Sequence, residues 1–182
     1  MAKKIQVGFI GGGNMAEALI QGLLQGKKLT AGECRVYDVL QDRLAYLKKT
    51  YGVQTGSTPG EVVVPSRVVI LAVKPQQISQ ALKALIPFWS PEKLLVSIAA
   101  GITLGQLAKP FPSPPRLVRV MPNTPALVQS GISALCKNDV AREDDLQLAE
   151  SLFKAAEKRS AWMNPCSTPL PGCQAAGRPT SL

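Results

Sequence analysis

The chain has 182 residues, of which 46% are hydrophobic and 18% are charged, a composition typical of one soluble globular domain with a short appendage. Its formal net charge is +9, but the lysines and arginines are scattered along the chain, which is typical of a solvated surface, and we expect no nucleic-acid partner. The chain contains no histidine, so Ser-His and Cys-His catalysis and histidine-ligated metal sites are excluded.

The first half of the chain alternates between strand and helix patterns. An apolar strand pattern at residues 5–10 leads into a glycine-rich turn and then into apolar residues at helical spacing, which Gly26 ends. Four more elements follow: a strand at 34–38, a helix at 41–50, a short strand near Val53 and a strand at 68–73. This alternation predicts parallel strands joined by helical crossovers.

The second half continues the alternation as far as residue 158. Its predicted elements are a helix at 76–86, a strand at 94–98, a short helix at 103–108, a strand at 117–121, an edge strand at 131–136 and an amphipathic helix at 142–158. We therefore predict an α/β fold of the Rossmann type over residues 1–158, with a doubly wound, mostly parallel sheet. Residues 159–182 are rich in Pro, Ser and Gly without helix or strand periodicity, so we expect a disordered tail.

Two further properties bear on location and chemistry. The longest apolar runs, at residues 68–73 and 94–98, are too short to cross a bilayer, and the first strand begins too early for a targeting segment to precede it. We therefore expect a cytoplasmic protein without a membrane partner. The four cysteines show no CxxC spacing, which predicts reduced thiols and no metal site.

The string GGGNMA at residues 11–16 carries the strongest chemical signal. It follows a strand and opens a helix, as a dinucleotide-binding fingerprint requires. Gly11 permits the tight turn, Gly13 lets a pyrophosphate approach backbone N–H groups, and Ala16 keeps the helix close to the sheet. The string therefore predicts an NAD(P)H site, and the alternative is a glycine-rich turn in an unrelated α/β domain.

The end of the second strand carries two conflicting signals about the cofactor. Asp38 is placed to accept hydrogen bonds from the adenosine ribose, the arrangement usual for NADH. Arg43 is placed to pair with the 2′-phosphate of NADPH, or else it is a solvated residue in the first turn of the next helix. The residues alone leave the choice between NADPH and NADH open.

Two more motifs end strands at the edge where ligands of open α/β sheets bind. AVKP at residues 72–75 places Lys74 where it can face cofactor phosphate or ribose, although Lys followed by Pro is also an ordinary strand stop. SIAAG at residues 97–101 ends the next strand with small residues, which would allow a flat nicotinamide ring to lie against the backbone. The alternative is that these residues are small only because the protein packs closely there.

The turn MPNTP at residues 121–125 follows the sixth strand and is stiffened by two prolines. We expect its Asn123 and Thr124 to contact the substrate, and the alternative for Asn123 is an Asx-type bond to the backbone. No catalytic acid is identifiable. The predicted cofactor site comprises Gly11, Gly12, Gly13, Asn14, Met15, Asp38, Ala72, Val73, Lys74, Pro75, Ala99, Ala100 and Gly101.

Four ordered motifs together resemble one family. With GFIGGGNMA at 8–16, AVKP at 72–75, SIAAG at 97–101 and MPNTPALV at 121–128, residues 1–158 resemble pyrroline-5-carboxylate reductase. The resemblance implies reduction of the ring imine of 1-pyrroline-5-carboxylate to L-proline, the last step of proline synthesis, with hydride from NADPH or NADH. It favours NADPH, as does the positive net charge.

The resemblance ends after Lys158. Members of the family continue into an all-helical domain that forms the dimer and surrounds the substrate, and nothing in this chain resembles it. We therefore expect little or no turnover by this chain, and exposure of apolar surface on its last helix at Leu148, Leu152 and Phe153. The alternative functions are a non-catalytic dinucleotide-binding or partner-binding fragment, and another imine or hydroxyacid dehydrogenase on the same fold.

Overall fold

The computed structural model describes residues 6–122 and 133–156. The predicted tail at 159–182 and the end of the predicted domain at residue 158 lie outside these ranges. No helix within them is both long and apolar enough to cross a membrane.

The described residues form one seven-stranded sheet with the order β3-β2-β1-β4-β5-β6-β7. The first six strands are parallel to their neighbours, and β7 runs antiparallel to β6 at the edge. The strands are β1 (Val7–Ile10), β2 (Cys34–Tyr37), β3 (Gln54–Thr55), β4 (Val68–Leu71), β5 (Leu94–Ser97), β6 (Arg116–Pro122) and β7 (Ser133–Lys137). This order reverses between β1 and β4, as in a Rossmann sheet, so the predicted fold class is confirmed.

Five α-helices lie between strands in the described ranges and a sixth follows β7: α1 (Asn14–Gln25), α2 (Gln41–Tyr51), α3 (Pro59–Val63), α4 (Ile78–Leu85), α5 (Leu104–Ala108) and α6 (Glu143–Ala156). Strands β1, β4 and β5 are buried along their whole length because helices cover both faces of the sheet. One face packs mainly against α1, α2 and α6, and the other packs against α3, α4 and α5.

Three differences from the predicted elements have a physical reason. Strand β4 ends at Leu71 rather than at residue 73, where its register with Ile10 of β1 and with Ser97 of β5 also ends. The helix predicted at 76–86 begins as a 3-10 turn, Pro75–Gln77, before α4. Helix α3 was not predicted, since five residues are too few to show helical periodicity, although Thr58 caps it and Pro59 occupies its first turn.

The expectation that α6 exposes apolar side chains is wrong for two of the three residues named. Leu152 and Phe153 are buried, and Leu148 is half-buried against the same core. Helix α6 packs along α1 at a point where α1 carries Gly22, and a Cβ atom at that position would lie 2.4 Å from Ala156 Cα. The close approach of the two helices lets α1 cover the apolar stripe of α6.

Candidate functional site

The loops that carry the predicted motifs are joined at the carboxyl edge of the sheet by backbone hydrogen bonds. Gly11 N donates to Tyr37 O at 2.8 Å, and Ala72 N donates to Ile10 O at 2.8 Å. On the next strand, Ile98 N donates to Leu71 O at 3.2 Å. The glycine turn, the AVKP segment and the SIAAG segment therefore follow adjacent strands, on either side of the point where strand order reverses.

Gly11 and Gly13 have different structural roles in the glycine turn. Gly11 has a φ of +99°, and a Cβ atom there would lie 2.6 Å from Ala72 O, so the protein itself requires glycine. Gly13 has a φ of −66°, and a Cβ atom there would have no neighbour within 4 Å. The space where a Cβ atom would lie beside Gly13 is therefore open.

The first turn of α1 offers backbone donors beside this open space. Gly13 is the N-cap and makes no side-chain capping bond, while Glu17 N bonds back to Gly13 O at 3.0 Å. The N–H groups of Asn14, Met15 and Ala16 have no acceptor within an α-helix by its geometry. Free N–H groups and the positive end of a helix dipole fit a diphosphate.

Asp38 is half-buried directly after β2 and is fixed by two backbone donors. Its Oδ2 accepts from Gly12 N at 2.6 Å, and its Oδ1 accepts from Leu40 N at 2.9 Å. An ionised carboxylate has about four acceptor positions, so about two remain for other donors. The predicted contact with ribose hydroxyls is therefore compatible with this geometry, and stays a prediction.

Sequence reasoning missed a polar cluster that joins α1 to α2. Glu17 forms an ion pair with Arg43 and also accepts from Tyr46 Oη at 2.9 Å and from Tyr51 Oη at 2.8 Å. Burial would raise the pKa of Glu17, but the hydrogen bonds from Arg43, Tyr51 and Tyr46 outweigh it and hold the pKa below its ordinary value. Arg43 is therefore not the solvated residue that the sequence allowed.

Tyr51 gives this cluster a dependence on pH. Burial and its hydrogen bond to the Glu17 carboxylate raise the pKa of Tyr51 from 10 to about 12. Since the folded state holds the phenol proton more tightly, the stabilising contribution is complete below pH 10 and is lost as the pH rises towards 12. We expect the free energies of unfolding of wild type and Tyr51→Phe to differ most at pH 8, and the difference to become smaller at pH 11, in urea titrations. A difference that stays constant would contradict this assignment.

The remaining predicted cofactor residues lie along the same edge with different exposures. Lys74 and Pro75 are exposed, while Ala72 and Val73 are half-buried. Ala99 is buried, and its N–H donates to Ser97 Oγ at 3.3 Å. Ala100 and Gly101 are exposed, and Gly101 has a φ of +73°, which requires glycine. The backbone of this segment is thus open at the sheet edge.

The predicted substrate residues, Asn123 and Thr124, lie outside the described residues. Met121, just before them, is exposed. Arg119, which the sequence analysis overlooked, is 4% exposed, and its Nε has no hydrogen-bond partner among the described residues. It pairs in register with Ser97 of β5. Arg119 is the single charged residue in the predicted apolar strand at 117–121, which was the available signal.

In the described part of the chain, no group of three or more Cys, Asp or Glu side chains is placed to hold a metal ion. Burial, with a smaller contribution from Glu33, raises the pKa of the Cys34 thiol to about 12. Cys34 therefore stays protonated at neutral pH and is a poor nucleophile.

Comparison with known proteins gives a consistent relationship. Residues 6–101 match the family model described as NADP oxidoreductase, coenzyme F420-dependent. Pyrroline-5-carboxylate reductase of Escherichia coli (strain K12) is 33% identical over 172 residues, which make up 94% of this chain and 63% of that relative.

Solved structures agree with this relationship. A pyrroline-5-carboxylate reductase from Coxiella burnetii has a TM-score of 0.82 at 32% identity, covering 89% of this chain and 60% of that one. The Plasmodium falciparum pyrroline carboxylate reductase, solved with NADP bound, has a TM-score of 0.73 at 28% identity, covering 84% and 55%. The chain thus spans between 55% and 63% of the length of these three relatives. It belongs to the NADP oxidoreductase, coenzyme F420-dependent family, and the resemblance to pyrroline-5-carboxylate reductase that its motifs predict is confirmed.

Proposed function

We propose that this chain binds NAD(P)H and is the cofactor-binding part of a pyrroline-5-carboxylate reductase, which reduces 1-pyrroline-5-carboxylate to L-proline. The observation that carries the proposal is the open space beside Gly13, at the N-terminus of α1 and next to the point where strand order reverses. The substrate is proposed from the similarity to pyrroline-5-carboxylate reductases, because enzymes with a Rossmann fold catalyse many different reactions.

The chain's own residues bind and orient the reactants. The N–H groups in the first turn of α1 would hold the pyrophosphate, Asp38 would accept from the ribose, and the exposed Ala100 and Gly101 beside the buried Ala99 would support the nicotinamide. Bound NAD(P)H would supply the hydride for the imine carbon, and water would supply the proton for the ring nitrogen. The protein's contribution is therefore largely positioning.

On the substrate side, we propose that the turn after β6 faces the imine, with Asn123 and Thr124 as polar contacts. The protein would act in the cytoplasm on this small molecule, without a nucleic-acid or membrane partner. In support, β6 is the parallel neighbour of β5, so its carboxyl end at the exposed Met121 lies at the same edge of the sheet as the SIAAG segment. The nicotinamide is proposed to bind at that edge.

The test measures binding and turnover separately on the purified 182-residue chain. We expect the fluorescence of NADH or NADPH to change on binding, and little or no proline to form from 1-pyrroline-5-carboxylate. The reason for weak turnover is that the chain spans only part of its relatives' length. Robust proline formation by a monomer would contradict this expectation and establish the reductase outright.

Partial coverage also favours a second candidate, a dinucleotide-binding fragment without catalysis. Binding without turnover, even in the presence of a full-length reductase partner, would support that candidate. Failure to bind either dinucleotide would overturn both. Turnover of other imines or hydroxyacids, but not of the pyrroline, would show a different dehydrogenase on the same fold.

A further inference from the structure

We propose that Glu17 makes this site selective for NADH over NADPH, by holding Arg43 in an ion pair beside the glycine turn. The inference rests on the proposed function, because it assumes that a dinucleotide occupies the carboxyl edge of the sheet. Glu17 acts here as a positioning residue: it determines what Arg43 can reach, without itself contacting the cofactor.

Asp38 and Arg43 both bond to the backbone of Gly12. The N–H of Gly12 donates to Asp38 Oδ2 at 2.6 Å, and the carbonyl of Gly12 accepts from Arg43 Nε at 2.5 Å. The end of β2 beside the glycine turn is where a Rossmann fold receives the adenosine ribose. A 2′-phosphate on that ribose would therefore lie near both the carboxylate and the guanidinium, and the availability of Arg43 decides whether it is tolerated.

Arg43 is engaged on several sides. Its Nε bonds to the glycine turn, its Nη2 forms the ion pair with Glu17, and its guanidinium carbon lies 5.0 Å from the Tyr46 ring centroid. The side chains of Arg43 and Glu17 are 22% and 19% exposed, so water screens their attraction only in part. A bidentate pair with a phosphate through Nε and Nη2 would require Arg43 to leave the Gly12 carbonyl and a carboxylate that is itself held by two tyrosine hydroxyls.

The rest of the loop after β2 offers no replacement cation. Residues 38–43 read DVLQDR, so Arg43 is the one positive charge in this segment, opposite two aspartates. Val39 and Leu40 are 68% and 64% exposed and supply no charge, and the N–H of Leu40 already donates to Asp38. A 2′-phosphate carries nearly two negative charges, and the Asp38 carboxylate would repel it with no nearby positive charge free to offset the repulsion. A ribose hydroxyl, in contrast, can donate a hydrogen bond to Asp38.

Two influences oppose the inference: the positive net charge favours the more anionic NADPH at long range, and the resemblance to pyrroline-5-carboxylate reductase also favours NADPH. At about 0.1 M salt, exposed charges more than about 10 Å away are largely screened. The close, partly shielded groups around Gly12 therefore decide the preference.

The test compares dissociation constants of NADH and NADPH for the full chain by fluorescence titration. We expect wild type to bind NADH at least about 10-fold more tightly than NADPH. Glu17→Gln removes the charge that retains Arg43, so NADPH should bind about 5- to 10-fold more tightly while NADH changes by less than about 2-fold. Adding Arg43→Ala to Glu17→Gln should abolish the gain.

The matched control is Glu92→Gln, the same change of charge in the turn before β5, at the opposite edge of the sheet. It should leave both constants unchanged, and circular dichroism confirms that each variant is folded. Wild-type preference and the effect of Arg43→Ala alone test the inference even if Glu17→Gln does not fold.

Three results would overturn the inference. If wild type prefers NADPH and Arg43→Ala weakens NADPH binding, Arg43 is a phosphate ligand, and the inference fails while the proposed function stands. If Glu17→Gln weakens both cofactors equally, Glu17 merely supports the turn. If wild type binds neither cofactor, the proposed function fails and the inference fails with it.

Discussion

Replacement of Gly13 by Val is expected to weaken dinucleotide binding by at least about 100-fold, with the fold retained. A valine side chain would occupy the open space beside the α1 N-terminus, which is where a pyrophosphate must approach the backbone donors. Beyond the adjacent residues and the backbone of α1, nothing of the described protein lies within 4 Å of the new Cβ atom, so we expect the fold to tolerate valine. Loss of a favourable N-cap residue should lower the free energy of unfolding by only about 1 kcal/mol.

Calorimetric or fluorescence titration measures the binding, and thermal unfolding measures the stability. The matched control is Gly32→Val, because Gly32 is exposed in the 3-10 turn Ala31–Glu33 at the opposite edge of the sheet, and its Cβ atom would meet no atom closer than 4.0 Å. Gly32→Val should bind like wild type. If Gly13→Val also binds like wild type, the residues 11–16 are not a pyrophosphate-binding turn.

Gly11→Ala, two residues away, separates a structural glycine from a binding glycine. Its φ of +99° and the 2.6 Å contact with Ala72 O would force the turn away from the AVKP loop. Such strain typically costs about 1–3 kcal/mol, so this variant should lose stability as well as binding. The contrast with Gly13→Val would locate the cofactor more sharply than either variant alone.

The architecture was predictable because its signals are local. Strands β4 and β5 are continuous apolar runs, which is typical of parallel strands buried on both faces. The motifs at 11–16, 72–75 and 97–101 follow strand ends, and parallel strands bring their carboxyl ends to one edge. Placing these residues together therefore needed no knowledge of side-chain packing.

The cluster around Glu17 was not predictable from local pattern. Glu17 and Arg43 are 26 residues apart, and their contact depends on how α1 and α2 pack beside the glycine turn. Sequence alone left Arg43 as a phosphate ligand or a solvated residue, and neither alternative included an ion pair. A tertiary contact between two helices has no periodic signature in the chain.

The expectation about α6 failed for a related reason. An amphipathic helix predicts that an apolar stripe must be covered, but the pattern does not say by what. In the structure α1 covers it, at a contact that depends on the absence of a side chain at Gly22. A glycine that allows two helices to pack closely and a glycine that only lowers helix propensity look the same in the sequence, and the residues around Gly22 do not tell them apart.

Gly22→Val should therefore destabilise the protein strongly. A Cβ atom at Gly22 would lie 2.4 Å from Ala156 Cα and 2.7 Å from Ala156 O, both backbone atoms that cannot rotate away. Separating α1 from α6 would loosen the packing of Leu152 and Phe153, which are 3% and 1% exposed. Overpacking of this kind lowers the free energy of unfolding by about 3 kcal/mol. For a chain of this size that corresponds to a fall in Tm of about 6–12 °C.

Thermal unfolding of Gly22→Val is best compared with Gly105→Val, the same substitution at an exposed position in α5 where a Cβ atom meets nothing within 4 Å. Both variants remove a helical glycine, so any difference between their Tm values reports the contact with α6 rather than helix propensity. Gly22 lies nine residues along α1 from Gly13, about 13 Å at 1.5 Å per residue, so dinucleotide binding should persist in the folded fraction. A Tm for Gly22→Val equal to that of Gly105→Val would mean that α1 and α6 do not approach closely at Gly22, and the stripe of α6 would then need another cover.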